Sequence, residues 1–292
     1  LDRFNQVQLL YKFTQSFYEY SVEILPFFIL AVFITSLLQA YTSLSWFTKL
    51  LKNPYIAPMN TAFLAGLLPL CSCSMLPVAN FINSLSRSYA PVVSFLMVAP
   101  VISPINLILT YGFFGLPMTL FRLLGTFLFA LLLALLAELL FKKPKGLPFA
   151  IGGAKHRRNR WADFKKAIKD QLLGVGRYLL IGIFIASLVK TFVPPGLIAP
   201  LSGTPLSYPF ISLVAIPMYV CSGEEVPVAR ALSEIGFTGG NSLTFMLAST
   251  GICLPTVFAT FKFLPKNLVL LYLLAWFVFS TFIGFLYDRF MW

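Results

Sequence analysis

Residues 69–79 read PLCSCSMLPVA and residues 219–229 read YVCSGEEVPVA. At an offset of 150, Cys71 falls on Cys221, Ser72 on Ser222, Pro77 on Pro227, Val78 on Val228 and Ala79 on Ala229. Both stretches set thiols, hydroxyls and helix breakers inside apolar sequence. Irregular polar backbone is costly at membrane depth unless it lines a protected cavity. A paired interruption in corresponding halves therefore points to the binding site of a transporter.

The composition fits that setting. Hydrophobic residues make up 58% of 292 positions, charged residues 11%, and the mean hydropathy is +0.84. A soluble domain carries about 25% charged residues. Apolar runs near the length of a bilayer span fall at 24–40, 90–110, 117–140, 171–192, 241–261 and 266–287. No cleavable signal peptide is expected, because the first long run is of full span length.

The net charge of +12 is concentrated: residues 142–169 hold ten Lys or Arg and one acid, Asp163. This is the pattern of a cytoplasmic loop under the positive-inside rule. Few aromatics and no recognisable module argue against nucleic acid. His156 lies in this loop as a solvated residue. Of the four cysteines, Cys71 and Cys73 lack a second Cys/His pair, so no metal site is expected. No cofactor motif is present, and the absence of a phosphate-binding Gly-rich loop argues against direct ATP drive.

The repeat extends outward from the motif. Phe33-Ile34 and Ser36-Leu37 match Phe184-Ile185 and Ser187-Leu188 at an offset of 151, Phe95 matches Phe245, and Ile102 matches Ile252. Each half has a second interruption, APVISPIN at 99–106 and STGICLPT at 249–256. Proline frees helix carbonyls, and Ser103, Asn106, Thr250 and Thr256 stand where they can satisfy them. The expected chain is an all-α integral membrane protein of two homologous halves, 1–141 and 170–292, joined by the basic cytoplasmic linker 142–169.

Two topologies stay open. Ala57–Leu70 and Met75–Ser86 are each too short to span at about 1.5 Å per residue. They form either one broken span, with four crossings per half, or a re-entrant pair, with three crossings and inverted repeats. Both place fifteen Lys and Arg on the loop side, four opposite and three (Arg122, Arg177, Lys190) within spans. The inverted arrangement is favoured because it brings two half-depth motifs together at the midplane.

A helix starting near Ser74 or Glu224 would aim free N–H groups into the cavity. Cys71, Cys73 and Cys221 would supply soft sulfur, with Cys253 as a fourth thiol, and Ser72, Ser74 and Ser222 hydroxyls. Glu224 and Glu225 replace Ser74 and Met75 in the second copy. Adjacent carboxylates in an apolar segment suit proton coupling, stabilise the helix N-terminus, or sit at the membrane surface, as a re-entrant pair allows.

These motifs, with SFLMVAPVISPIN at 94–106, PMYVCSGEEVPVARALSEIGFTGG at 217–240 and LTFMLASTGICLP at 243–255, resemble the ArsP-type permease family. That family includes trivalent organoarsenical efflux proteins. The resemblance covers essentially the whole chain apart from the N-terminal residues and the linker. It implies a permease fold in the cell membrane and transport of a small solute. The expected site comprises Cys71, Ser72, Cys73, Ser74, Ser103, Asn106, Cys221, Ser222, Thr250 and Cys253, with Glu224 and Glu225 in coupling. The expected surroundings are the bilayer, the cargo and a homo-oligomeric partner. A sulfur-containing anion is the alternative cargo, and a membrane thiol oxidoreductase using the Cys-x-Cys pair is the alternative class.

Overall fold

The computed structural model describes residues 51, 53, 56–68, 70, 74–141, 143, 204–216, 220, 223–234, 236–252 and 254–291, with scattered positions between 11 and 33 and between 161 and 184. The expected spans 24–40 and 171–192 lie largely outside these residues. No strand occurs among the described residues. In the first half the helices are α1 (Ala57–Leu67), α2 (Met75–Leu85), α3 (Ala90–Val98) and α4 (Pro104–Leu140). In the second they are α5 (Ser207–Ala215), α6 (Glu225–Glu234), α7 (Gly239–Gly251), α8 (Leu254–Thr260) and α9 (Lys266–Met291).

Local chemistry sets these boundaries. Proline opens α1, α3 and α4, where its missing N–H costs nothing. Ser103 caps α4 by accepting Asn106 N–H, and Thr238 caps α7 by accepting Asn241 N–H. The sequence separates runs 90–110 and 117–140, and the structure supplies the hinge between them. Gly115 sits inside α4 at φ 80°, a left-handed conformation that favours glycine, and divides the helix into two segments. The segment after Gly115 is about 37 Å long, enough to cross a bilayer.

The hydrogen bonds fix helix directions. Lys143, just past α4, binds the carbonyls of Asn83 and Ser86 at the end of α2, and its ammonium lies 5.4 Å from the Tyr89 ring before α3. These points share one end of the bundle, here the linker end. Thr61 and Ser94 hydroxyls meet at 2.8 Å, and Gly66 faces Val98 and Ile102. So α1 runs parallel to α3, away from the linker end, and α2 returns to it.

The second half is laid out the other way. Asn83 donates to Phe263 O at 2.9 Å, which puts the start of α9 at the linker end. Asp288 meets Gly240 N–H at 2.6 Å, Thr244 meets Ser280 O at 3.2 Å, and Trp276 covers Gly251, so α7 is antiparallel to α9. Ser207 bonds Asn241 and Tyr208 bonds Asp288, so α5 starts at the far end. Ser242 reaches Ala229 O, so α6 runs back there. The turn at Gly115 also lies at the far end, with Met118 against Gly239 and Phe121 edge-on to Tyr287.

Packing follows position. Every residue of α3 is buried, as is α7 from Gly240 to Gly251. A Cβ at Gly240 or Gly284 would overlap the opposite helix, so α7 and α9 meet backbone to backbone. On the outside, α4 exposes Leu120, Leu124, Leu128 and Leu132, and α9 exposes Leu270, Leu274, Val278 and Phe282. Spacing by four makes each an apolar stripe. Between them lies an apolar groove of about 440 Å³ lined by residues such as Leu132, Leu136 and Leu274. Such surface suits lipid, and α4 and α9 are the two described helices long and apolar enough to cross a membrane.

Candidate functional site

The polar centre of the described structure forms where α6 begins. Glu225 is the first residue of α6 and fully buried, and its Oε1 lies 2.6 Å from Arg122 Nη2 on α4. Arg122 is fully buried as well. Its Nε–H donates to Val101 O at 3.1 Å, in the break before α4. Its Nη1 donates to Thr110 Oγ1 at 3.0 Å and lies 3.7 Å from Met246 Sδ on α7. Thr110 in turn donates to Asn106 O at 2.6 Å. The guanidinium thus ties together both segments of α4, the break at 99–103, α6 and α7.

The other carboxylate oxygen of Glu225 accepts the N–H of Gly223. Gly223 has φ 106°, and a Cβ there would stand 3.8 Å from Asn106 Oδ1. The motif of the second half therefore faces the second interruption of the first half. Substitution of either charged partner alone would leave a buried charge, at about 3–5 kcal/mol.

The residues expected from the sequence divide into three groups. Cys71, Ser72, Cys73, Cys221, Ser222 and Cys253 lie outside the described residues. Ser74, Ser103, Asn106 and Thr250 are buried. Asn106 does satisfy a freed carbonyl, donating to Pro100 O at 3.0 Å. Ser103 caps α4 instead, and Thr250 bonds back to Met246 O within its own helix. The third group is the acid pair, which separates: Glu224 is exposed, whereas Glu225 is buried against Arg122.

Arg122 and Thr110 were not among the expected site residues. The signal was present for Arg122, since a charge inside an apolar span flags function by default. Lys143 was likewise merged into the linker, although burial pushes its ammonium below the usual lysine range and its Nζ also lies 2.9 Å from Asn83 Oδ1.

The comparisons with known proteins place the chain among permeases. A family described as predicted permeases matches residues 9–289. The chain belongs to the ArsP_1 family of predicted permeases. It is a membrane permease by that membership, and the family points to transport rather than catalysis. Relatives include a Streptococcus mutans protein named as a two-component membrane permease complex subunit, 27% identical over 72% of this permease and 73% of its own length. The UPF0718 protein YcgR of Bacillus subtilis is 24% identical over 77% of this permease and 80% of its own length. The UPF0718 protein MJ0584 of Methanocaldococcus jannaschii is 36% identical over 37% of this permease and 30% of its own length. No solved structure matches the permease.

Proposed function

We propose that this permease moves a small solute through a site enclosed by two re-entrant helix pairs of opposite orientation. The supporting observation is the pairing of directions. α1 and α2 leave and return to the linker end, while α5 and α6 do so at the far end. Each of α1 and α2 has 11 residues, about 16 Å, or roughly half the hydrocarbon thickness. Out-and-back pairs entering from opposite faces are the layout of an inverted repeat, with units 1–141 and 170–292 on either side of a cytoplasmic linker 142–169. In this reading the protein is a multi-pass protein of the cell membrane, and the naming of the Streptococcus mutans relative favours a partner subunit beside a homo-oligomeric arrangement.

The cargo proposed first is a thiophilic solute of the trivalent organoarsenical class, exported from the cell. Cys71 and Cys73 lie in the connection between α1 and α2, and Cys221 lies just before Gly223 and α6. Soft thiolates suit such a centre. The second reading is a sulfur-containing anion, favoured by the buried cation of Arg122.

Replacing Cys71, Cys73 and Cys221 singly by Ser tests the first reading. Each variant, at matched expression, should lower the resistance of a sensitive host to trivalent methylarsenical by about tenfold, while Cys253→Ser should lower it less. Unchanged resistance in all three would eliminate thiol ligation.

A further inference from the structure

We propose that Glu225 is a resident counter-anion of Arg122, displaced by a monovalent oxyanion cargo while Glu225 itself takes up a proton. This rests on the permease reading and names the substrate class and the coupling for the same site. The geometry carries it. Arg122 spends its Nε–H and Nη1 on neutral acceptors, Val101 O, Thr110 Oγ1 and Met246 Sδ. Its charge is balanced by one carboxylate, that of Glu225.

The surroundings offer no substitute for that carboxylate among the described residues. α3 and α7 carry no ionisable side chain. On α4 the others are Tyr111, which is exposed, and Glu138, near the linker end, away from this level. On α6 Arg230 and Glu234 pair with each other at 3.5 Å on an exposed face. Asp288 of α9 is engaged by Tyr208, Thr238 and Gly240 at the far end. Glu224 adjoins Glu225 but is exposed.

Charge conservation then dictates the exchange. Moving the tip at 223–225 away from α4 would strand a buried guanidinium and a buried carboxylate, and stranded charges of this kind are strongly disfavoured. An oxyanion arriving from water can take the place of the Glu225 carboxylate, accepting from Arg122 Nη2 and from Gly223 N–H. Nη2 and the Gly223 N–H offer one donor each, as they now do to the two Glu225 oxygens, which suits a two-oxygen acceptor. The released carboxyl then neutralises by taking one proton from the same aqueous side. Before the exchange the site holds one cation and one anion. Afterwards it holds one cation, one cargo anion and a neutral acid. One monoanion therefore moves with one proton, and the step is electroneutral. A divalent anion would leave a net negative charge and bind less well.

The experiment uses the full-length protein in detergent, with sodium formate as the smallest carboxylate probe and sodium thiosulfate as a divalent comparison. In a weakly buffered solution, formate should cause saturable proton uptake approaching one per wild-type protein, read with a pH dye. Thiosulfate should require at least tenfold higher concentration. Glu225→Gln should show no uptake, yet formate should raise its melting temperature by several degrees, because the anion now compensates Arg122. The Arg122→Gln/Glu225→Gln double variant should show neither effect. Absence of proton uptake in wild type overturns the proposal, even if Glu225→Gln does not fold. Formate stabilisation that persists in the double variant overturns it too, because the anion then binds elsewhere. Cys-dependent arsenical resistance without a formate response would defeat only this inference. A formate response without transport of either cargo would defeat only the cargo reading.

Discussion

Arg122 on α4 and Tyr272 on α9 stand 150 residues apart, and so do the carbonyls they hold, Val101 and Gly251. In each half a return span sends one polar side chain to the carbonyl freed where the preceding span breaks. Tyr272 does this with a neutral hydroxyl, 3.1 Å from Gly251 O and 3.3 Å from Leu96 O of the other half. Arg122 does it with a cation that also reaches the other half, at Glu225. The comparison separates two tasks. Closing a break needs one donor, and a phenol suffices. The charge of Arg122 exceeds that need and answers to Glu225.

The largest effect is therefore expected at Arg122. Arg122→Met leaves Glu225 buried without its cation and should destabilise the protein by about 3–5 kcal/mol, read from its unfolding midpoint in mixed detergent micelles. Arg122→Met/Glu225→Met removes both charges, and most of that stability should return, since apolar replacement of a buried pair is often neutral. Transport should stay lost in both. A double variant as unstable as the single one would show that the network is held by its neutral bonds to Val101 and Thr110, and the division of tasks would fall.

Next in size is Gly251, where the second half closes its break. A Cβ at Gly251 would lie 2.7 Å from the Trp276 ring, which is itself fully buried. Gly251→Ala should cost about 1–3 kcal/mol through overpacking. Gly66, beside the break of the first half, has room: its Cβ would meet Ile102 at an ordinary 3.5 Å. Equal losses from Gly66→Ala and Gly251→Ala in the same unfolding assay would show that the two halves are packed alike.

Much of this was legible in the sequence because breaks and lengths are local properties. Pro58, Pro91 and Pro104 sit in the first turn of α1, α3 and α4, and the short legs around 57–70 and 75–86 correspond to α1 and α2. The choice between broken span and re-entrant pair was not legible, because Lys and Arg counts agree for both. Tertiary bonds such as Thr61 to Ser94 and Asn83 to Phe263 O set the helix directions, and these support the re-entrant reading proposed above. The acid pair shows the same limit. Glu224 and Glu225 look equivalent as letters, but the turn into α6 leaves Glu224 exposed and buries Glu225. Arg122 was visible as a charge within a span, yet its partner lies 103 residues away and no spacing rule connects them. The hinge at Gly115 fell between two expected spans, and only its backbone angle marks it as a turn.

Tyr272→Phe sharpens the comparison with a smaller effect. It keeps the ring stacked edge-on to Trp276, 6.4 Å between centroids, and removes one shared hydrogen bond. A loss of about 1 kcal/mol is expected, with transport retained. If Tyr272→Phe abolished transport at full expression, the hydroxyl would be part of the solute pathway, and the two return spans would share one role.

The smallest effect is expected where the linker meets the bundle. The two ends of the molecule are held by opposite charges. At the far end, the Asp288 carboxylate accepts Gly240 N–H at the start of α7, where a helix favours an anion. At the linker end, the Lys143 ammonium donates to Asn83 O and Ser86 O at the end of α2, where a helix favours a cation. Lys143 is half-buried and has water as an alternative partner, so Lys143→Met should cost only about 1 kcal/mol. The loss should be local, since among the described residues α2 packs chiefly against α3 and α8. Amide exchange should therefore quicken at residues 83–89 and stay unchanged at 239–251. Faster exchange in α7 as well would mean that the foot of the first pair is coupled to the second half through Asn83 and Phe263. The linker would then control the carrier rather than merely join its halves.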